Sequence, residues 1–383
     1  MGKTLYLIFL AKSMRTFVFG ALSILVPVYL VNLGYPVSYA ALGVFLIVLG
    51  NVVLNLLLAL YEGLVGRRRF LVIYSMLMAA AGVILLFSTD FMLISIALFI
   101  GGISVTGTET GPFQSVEVGV IPRLVKNPGR ALGVYNLLGY LFSSLGALSL
   151  SLLPRLLPDA AARLIYILYV ATAALLFVIY RGLDIDGGNV NLRLTGVFLS
   201  RDIRNLSILF AVDAFGGSLI TQSLLTLWFY VRYNVTEEFL GVVFSISNVI
   251  TAISLIIAPL IAERIGNLRT MVFTHVISNI FLILIPLVGS LQWSVTFLFL
   301  RQSFSQMDVP TRQAFIAQIF SDEERVKANA VTNIARNISS LPGPALVNLF
   351  FMLNLLQLPL ILSGLLKLGY DITIYQLYKN RTR

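Results

Sequence analysis

Nine ionisable side chains sit inside long apolar stretches of this sequence, and they set its chemistry. They are Arg15, Glu109, Asp213, Arg301, Asp308, Arg312, Arg336, Lys367 and Asp371. A charge at mid-bilayer costs about 2.5–3.5 kcal/mol, so each must face protein or water rather than lipid. Asp308 and Arg312 are four apart and can pair on one helix face with Arg301, and Lys367 and Asp371 share the same spacing. These two pairs, with Glu263 and Arg264, read as structural or gating ion pairs. Arg15, Glu109 and Asp213 have no partner on their own helix, and they read as functional. A buried carboxylate that moves between a desolvated setting and one facing arginine is what proton coupling requires. The alternative chemistry is binding of an anionic solute by Arg15, Arg301 or Arg336, because guanidinium favours carboxylate and phosphate. His275 lies about one turn inside a helix end and reads as structural.

The elements that must position these groups are helices. The chain has 383 residues, 58% hydrophobic and 11% charged, against about 25% charged in soluble domains. Its apolar runs are continuous rather than alternating, which selects spanning helices over a barrel. About twelve spans are expected, near 5–31, 39–61, 70–88, 91–113, 131–153, 164–181, 205–231, 239–262, 270–288, 293–314, 327–351 and 356–378. They group into a six-helix bundle over 1–181, a linker over 182–204 and a second bundle over 205–383.

Lysine and arginine crowd the loops that share a side with the N-terminus: Lys3, Lys12, Arg67, Arg68, Arg69, Arg123, Lys126 and Arg130, then Arg181, Arg193, Arg201 and Arg204, and later Arg264, Arg269, Arg325, Lys327, Lys379, Arg381 and Arg383. The opposite side has Arg155, Arg163 and Arg232. Both termini are therefore expected in the cytoplasm, in a multi-pass protein of the cell membrane. The net charge of +10 reports topology, not nucleic-acid binding. Cysteine is absent and histidine occurs once, so no metal site and no cofactor are expected. Trp228, Phe229, Tyr230 and Tyr233 read as interfacial anchors.

The halves echo each other at an offset near 200. Leu42-Gly43-Val44 matches Leu240-Gly241-Val242. Glu62, Gly66 and Arg67 to Arg69 match Glu263, Arg264, Gly266 and Arg269, and Gly111-Pro112 matches Val309-Pro310. Arg15 and Asp213 occupy nearly equivalent places, so they could meet across a central cavity. Six spans per half make the repeats parallel, a recurring transporter design.

On these residues the chain resembles the major facilitator superfamily along its whole length. The loop from Glu263 to Arg269 fits that family's gate motif, with Pro259 at the leading glycine; the first copy, at Glu62, Gly66 and Arg67, departs from it. Gln306-Met307-Asp308-Val309-Pro310-Thr311-Arg312-Gln313 and Met271-Val272-Phe273-Thr274-His275 resemble a bacterial and archaeal subgroup. Gly139, Ser143 and Gly146 are present without the Gly-Pro pair of drug antiporters. The resemblance implies an all-α membrane fold of two pseudo-symmetric six-helix bundles. It implies a secondary transporter that works by alternating access as a monomer, with a small molecule or ion as substrate and protons as a drive. Export of amphipathic drugs or metabolites competes with uptake or exchange of a small anion, and a non-transporting sensor is the remaining class. No zinc, nucleophile-elbow or ATP-binding motif points to an enzyme or a pump.

Overall fold

The computed structural model describes residues 2–109, 111–156, 160–183, 185 and 200–380. Most of the linker expected over 182–204, with Arg193, lies outside the described residues, as do Arg381 and Arg383. The described chain is helical. Its first half runs α1 (Gly2–Asn32), α2 (Val37–Val65), α3 (Arg67–Phe87), α4 (Phe91–Ile100), α5 (Pro112–Leu124), α6 (Pro128–Leu156) and α7 (Ala161–Arg181). The second half runs α8 (Arg201–Ser218), α9 (Gln222–Tyr233), α10 (Glu237–Ile265), α11 (Asn267–Leu287), α12 (Leu291–Ser305), α13 (Asp308–Ile319), α14 (Asp322–Ser340), α15 (Pro342–Met352) and α16 (Leu358–Tyr378). Among the described residues nine helical stretches are long and apolar enough to cross a membrane, with Arg201–Tyr233 taken as one. The broken fourth, tenth and eleventh spans complete twelve.

The chain forms two compact units. One comprises the first half together with Thr221–Ser245; the other takes the segment ending at Ile220 and resumes at Ile246. In the first unit α1 is buried along most of its length, from Ile8 to Leu30. It packs tightly on α6: a Cβ at Gly146 would lie 1.8 Å from the Phe17 carbonyl oxygen, and one at Gly20 would lie 2.2 Å from that of Ser143. In the second unit α8 packs on α14 and α16, and α11 packs on α16, α12 and α13. There Leu206, Phe210, Met271, Phe315, Ile374 and Tyr378 form a buried apolar cluster. Outward-facing Leu60, Leu152, Val178, Ile256 and Leu260 are exposed, as lipid contact requires of a membrane-spanning bundle.

The fourth span differs from the continuous helix expected over 91–113. Helix α4 stops at Ile100 and α5 begins at Pro112. Proline cannot donate into a preceding turn and biases the residue before it away from helix. Gly102 and Gly107 adopt φ values of 64° and 75°, which only glycine takes at little steric cost. Non-helical backbone at membrane depth must find its partners in protein, and here it does. Tyr169 Oη donates to the Gly101 carbonyl (2.6 Å), Asn51 Nδ2 to that of Ile103 (2.7 Å) and the Ser223 amide to that of Val105 (3.0 Å). The tenth span, by contrast, breaks only at Gln306–Met307, between α12 and α13.

Two expectations about side chains change. Lys12, read as a loop charge, is buried in α1, and Trp228 and Phe229, read as interfacial anchors, are also fully buried. They pack edge to face at 5.0 Å and both lie against Tyr233. An apolar run cannot say which of its faces meets lipid and which meets protein.

Candidate functional site

Each unit holds one buried network of charges. In the first, Arg15 projects from the middle of α1 and is fully enclosed. Its Nε donates to Glu109 Oε1 (2.9 Å), and its Nη2 to Glu109 Oε2 (3.1 Å) and Glu117 Oε2 (2.5 Å). Its Nη1 donates to Glu117 Oε1 (3.0 Å) and also contacts the Tyr180 hydroxyl. All five guanidinium donors are thus engaged, four in two bidentate forks of the strongest hydrogen-bonding kind and the fifth on Tyr180. Lys12, one helical turn away, donates to Glu109 Oε2 (2.9 Å) and to the Thr108 carbonyl (2.8 Å). The hydroxyls of Tyr135 and Tyr180 complete Glu117 at 2.7 and 2.6 Å, and Phe113 lies 4.8 Å from the Arg15 guanidinium. Glu109 reaches this position from the unwound stretch at φ 104°, a left-handed conformation that strains a residue with a Cβ. Its backbone amide is held by Ser104 Oγ at 2.9 Å.

In the second unit Asp213, on α8, takes the place of Arg15 with the sign inverted. Lys367 Nζ of α16 donates to its Oδ1 (2.8 Å), while Arg336 Nη1 of α14 (2.8 Å) and Arg312 Nη1 of α13 (3.5 Å) donate to its Oδ2. Arg312 also pairs with Asp308 at 2.9 Å, as the four-residue spacing led us to expect. Lys367 and Asp371, expected to pair with each other, have other partners. Asp371 accepts from Asn279 Nδ2 (2.9 Å) and lies 2.8 Å from His275 Nδ1. His275 Nε2 is 3.4 Å from Lys367 Nζ and 3.8 Å from Asp213 Oδ1. Lysine can only donate, so an Nε2 that bonds Lys367 accepts, and Nδ1 then carries the proton that faces Asp371.

Arg15 and Asp213 therefore each have a full set of partners within their own unit, and for Arg15, Glu109 and Asp213 alike these come from other elements, so lacking a partner on their own helix did not leave them unpaired. Helical spacing shows partners on one helix only; these come from others.

Arg301 is the exception. It is buried on α12, and it has no carboxylate among the described residues. Its Nη1 donates to Gln302 Oε1 at 2.7 Å, and its Nε has no partner.

The two glycine loops expected to gate lie at helix junctions. Gly66 joins α2 to α3 and Gly266 joins α10 to α11, at φ 85° and 88°. Each amide donates to the carbonyl four residues back, Glu62 and Ala262, both at 2.9 Å. Glu62 pairs with the largely buried Arg67. Glu263, Arg264 and Arg269 are exposed.

Sequence reading missed Glu117, Lys12 and the central place of His275. Glu117 lay beyond the expected end of the fourth span. The available signal was the repeat itself, because Tyr180 and Tyr378 stand 198 positions apart and each packs against a phenylalanine, Tyr180 stacked on Phe113 and Tyr378 edge-on to Phe315.

The chain matches the model of the Major Facilitator Superfamily over residues 8–344. It is similar to the uncharacterized membrane protein YJR124C of Saccharomyces cerevisiae, with 26% identity over 370 residues covering 85% of this chain and 83% of that protein. Its fold is that of the nucleoside transporter NupG in the crystal structure of a mutant, at a TM-score of 0.73 and 13% identity, covering 99% of this chain and 100% of the other. With two six-helix bundles, a repeated glycine junction and a match along most of its length, the chain belongs to the Major Facilitator Superfamily.

Proposed function

We propose that this protein is a proton-coupled secondary transporter that moves a small solute by alternating access, with the Asp213 network as its coupling site. The observation that carries this reading is the carboxylate of Asp213. It ties α8 to α13, α14 and α16 through three cations, with the His275 ring beside it. A proton placed on Asp213 removes the negative charge that those cations share, and the ties between four helices loosen together. A proton placed on His275 Nε2 turns that nitrogen from an acceptor for Lys367 into a donor toward Asp213, and so competes with the Lys367–Asp213 bond. Either event converts proton binding into a change in helix packing, which is what alternating access needs. The Arg15 network instead reads as a rigid brace, because its guanidinium has no free edge. The excess of lysine and arginine on the terminal side supports cytoplasmic termini, and the chain is read as a monomer.

The test begins with a thermal-shift library of metabolites, anions and drugs on the purified protein, to supply a ligand. That ligand's accumulation in proteoliposomes is then measured under an imposed proton gradient. Asp213→Asn is expected to abolish accumulation while the variant still elutes as a folded species and still responds to the ligand. Accumulation at the wild-type rate and with the wild-type pH profile in this variant would overturn the proposal.

A further inference from the structure

Arg301 takes no part in the Asp213 network, and its surroundings are unfinished. The three acids Asp213, Asp308 and Asp371 are matched by the three permanent cations Arg312, Arg336 and Lys367. Arg301 adds a fourth cation with no acid of its own among the described residues. A buried guanidinium without a counter-charge is strongly disfavoured, and protein chemistry ordinarily pairs or hydrates it. Its Nη1 is turned to the neutral Gln302, while Nε is enclosed and unpaired.

A second orphan lies on the facing helix. Helices α11 and α12 run antiparallel, and Ser294 Oγ donates to the Ile285 carbonyl at 2.9 Å. Seven residues along each helix is two turns on the same face. Advancing from Ser294 reaches Arg301, and stepping back from Ile285 reaches Ser278. The Ser278 hydroxyl is buried and also has no partner. The carbonyl oxygen of Gln302 is occupied twice, by Arg301 and by Ser305 Oγ at 2.9 Å, which leaves its amide group as a donor. The level of Arg301 thus gathers one uncompensated positive charge and several hydrogen-bond donors, and no acid among the described residues.

We infer that Arg301, with Ser278 and Gln302, binds the carboxylate of a small monoanionic substrate. The side edge of a guanidinium, Nε with Nη2, matches the two oxygens of a carboxylate. One excess charge suits one negative charge. The inference rests on the transporter reading for its word "substrate", but the binding it describes can be measured without transport. The site also lies one turn of α11 from His275, so anion and proton occupy neighbouring levels of one helix.

The experiment measures thermal unfolding of the full-length protein in phosphatidylcholine nanodiscs. The probes are sodium benzoate, sodium acetate, neutral benzamide, and sodium chloride at matched ionic strength. A carboxylate probe is expected to raise the wild-type midpoint by about 3 °C near saturation, and benzamide and chloride to leave it unchanged. Arg301→Gln should lose that shift and unfold at the wild-type midpoint or above it, because an uncompensated charge has been removed. Arg301→Lys should keep part of the shift and covers the case in which the glutamine variant does not fold. The inference is overturned if neither carboxylate shifts the wild type beyond chloride. It is also overturned if either Arg301 variant binds as the wild type does, or if Arg301→Gln lowers the basal midpoint as loss of a structural partner would. Arg301-dependent binding without gradient-driven accumulation would sink the transporter reading and leave the anion site standing.

Discussion

Two networks stand at equivalent places in a repeated bundle, and they are built to opposite ends. Around Arg15, two cations meet two carboxylates in a space where the side chains are at most 2% exposed. Around Asp213, the partner arginines remain 13% and 26% exposed, and a histidine joins the ring. The first arrangement uses every donor of its central residue. The second shares the Asp213 carboxylate among three cations, two of which reach toward solvent. The two halves share one scaffold, and the residue at its centre differs in sign, arginine in one and aspartate in the other. On the coupling mechanism proposed above, the first network holds while the second switches.

The sharpest way to break this contrast is to remove both centres and compare stability. Arg15→Met leaves two buried carboxylates facing one lysine, and it should cost about 3–5 kcal/mol in thermal or denaturant unfolding. Asp213→Asn should cost less, about 1–3 kcal/mol, because Arg312 and Arg336 can turn toward solvent. Equal losses, or a larger loss at Asp213, would show that the Asp213 network is at least as structural as the Arg15 network. The glycine junctions test the symmetry itself. Gly66→Ala and Gly266→Ala both force a Cβ into left-handed backbone, and each should cost about 1–2 kcal/mol. A difference well beyond measurement error would mean that the two loops have diverged in structure as they have in sequence. The smallest effect belongs to Glu62→Gln, where a partly exposed pair is worth about 0.2–1 kcal/mol. A larger change would mark the Glu62 loop as the more important of the two.

Much of this was legible in the sequence, and for identifiable reasons. Spans follow from run length, and the junctions at Gly66 and Gly266 from the repeat, because both depend on local chain properties. The pairing of Asp308 with Arg312 follows from helical spacing. The partners of Arg15 and Asp213 do not, since Glu117, Tyr180, Lys367 and Arg336 lie 102, 165, 154 and 123 positions away in the chain. Periodicity carries no information about such contacts. The unwound stretch between α4 and α5 was hidden for a related reason. Its residues are apolar or small enough to count toward a span, and only the φ values of Gly102, Gly107 and Glu109 reveal that the helix has stopped. His275 was undervalued because a lone histidine has no meaning until Asp371 and Lys367 are placed beside it.

The membership of Thr221–Ser245 in the first compact unit has a consequence for biogenesis. A ribosome that has finished the sixth span has not yet made all of that unit. The Ser223 amide that satisfies Val105, and the Gln222 amide that bonds Ser23 at 2.8 Å, arrive later. Until then the Val105 carbonyl of the unwound stretch waits without the Ser223 donor that later satisfies it. Early folding of this half is therefore provisional, and a gene cut at the connecting segment should yield a first fragment that inserts but matures only when its partner fragment is made alongside it.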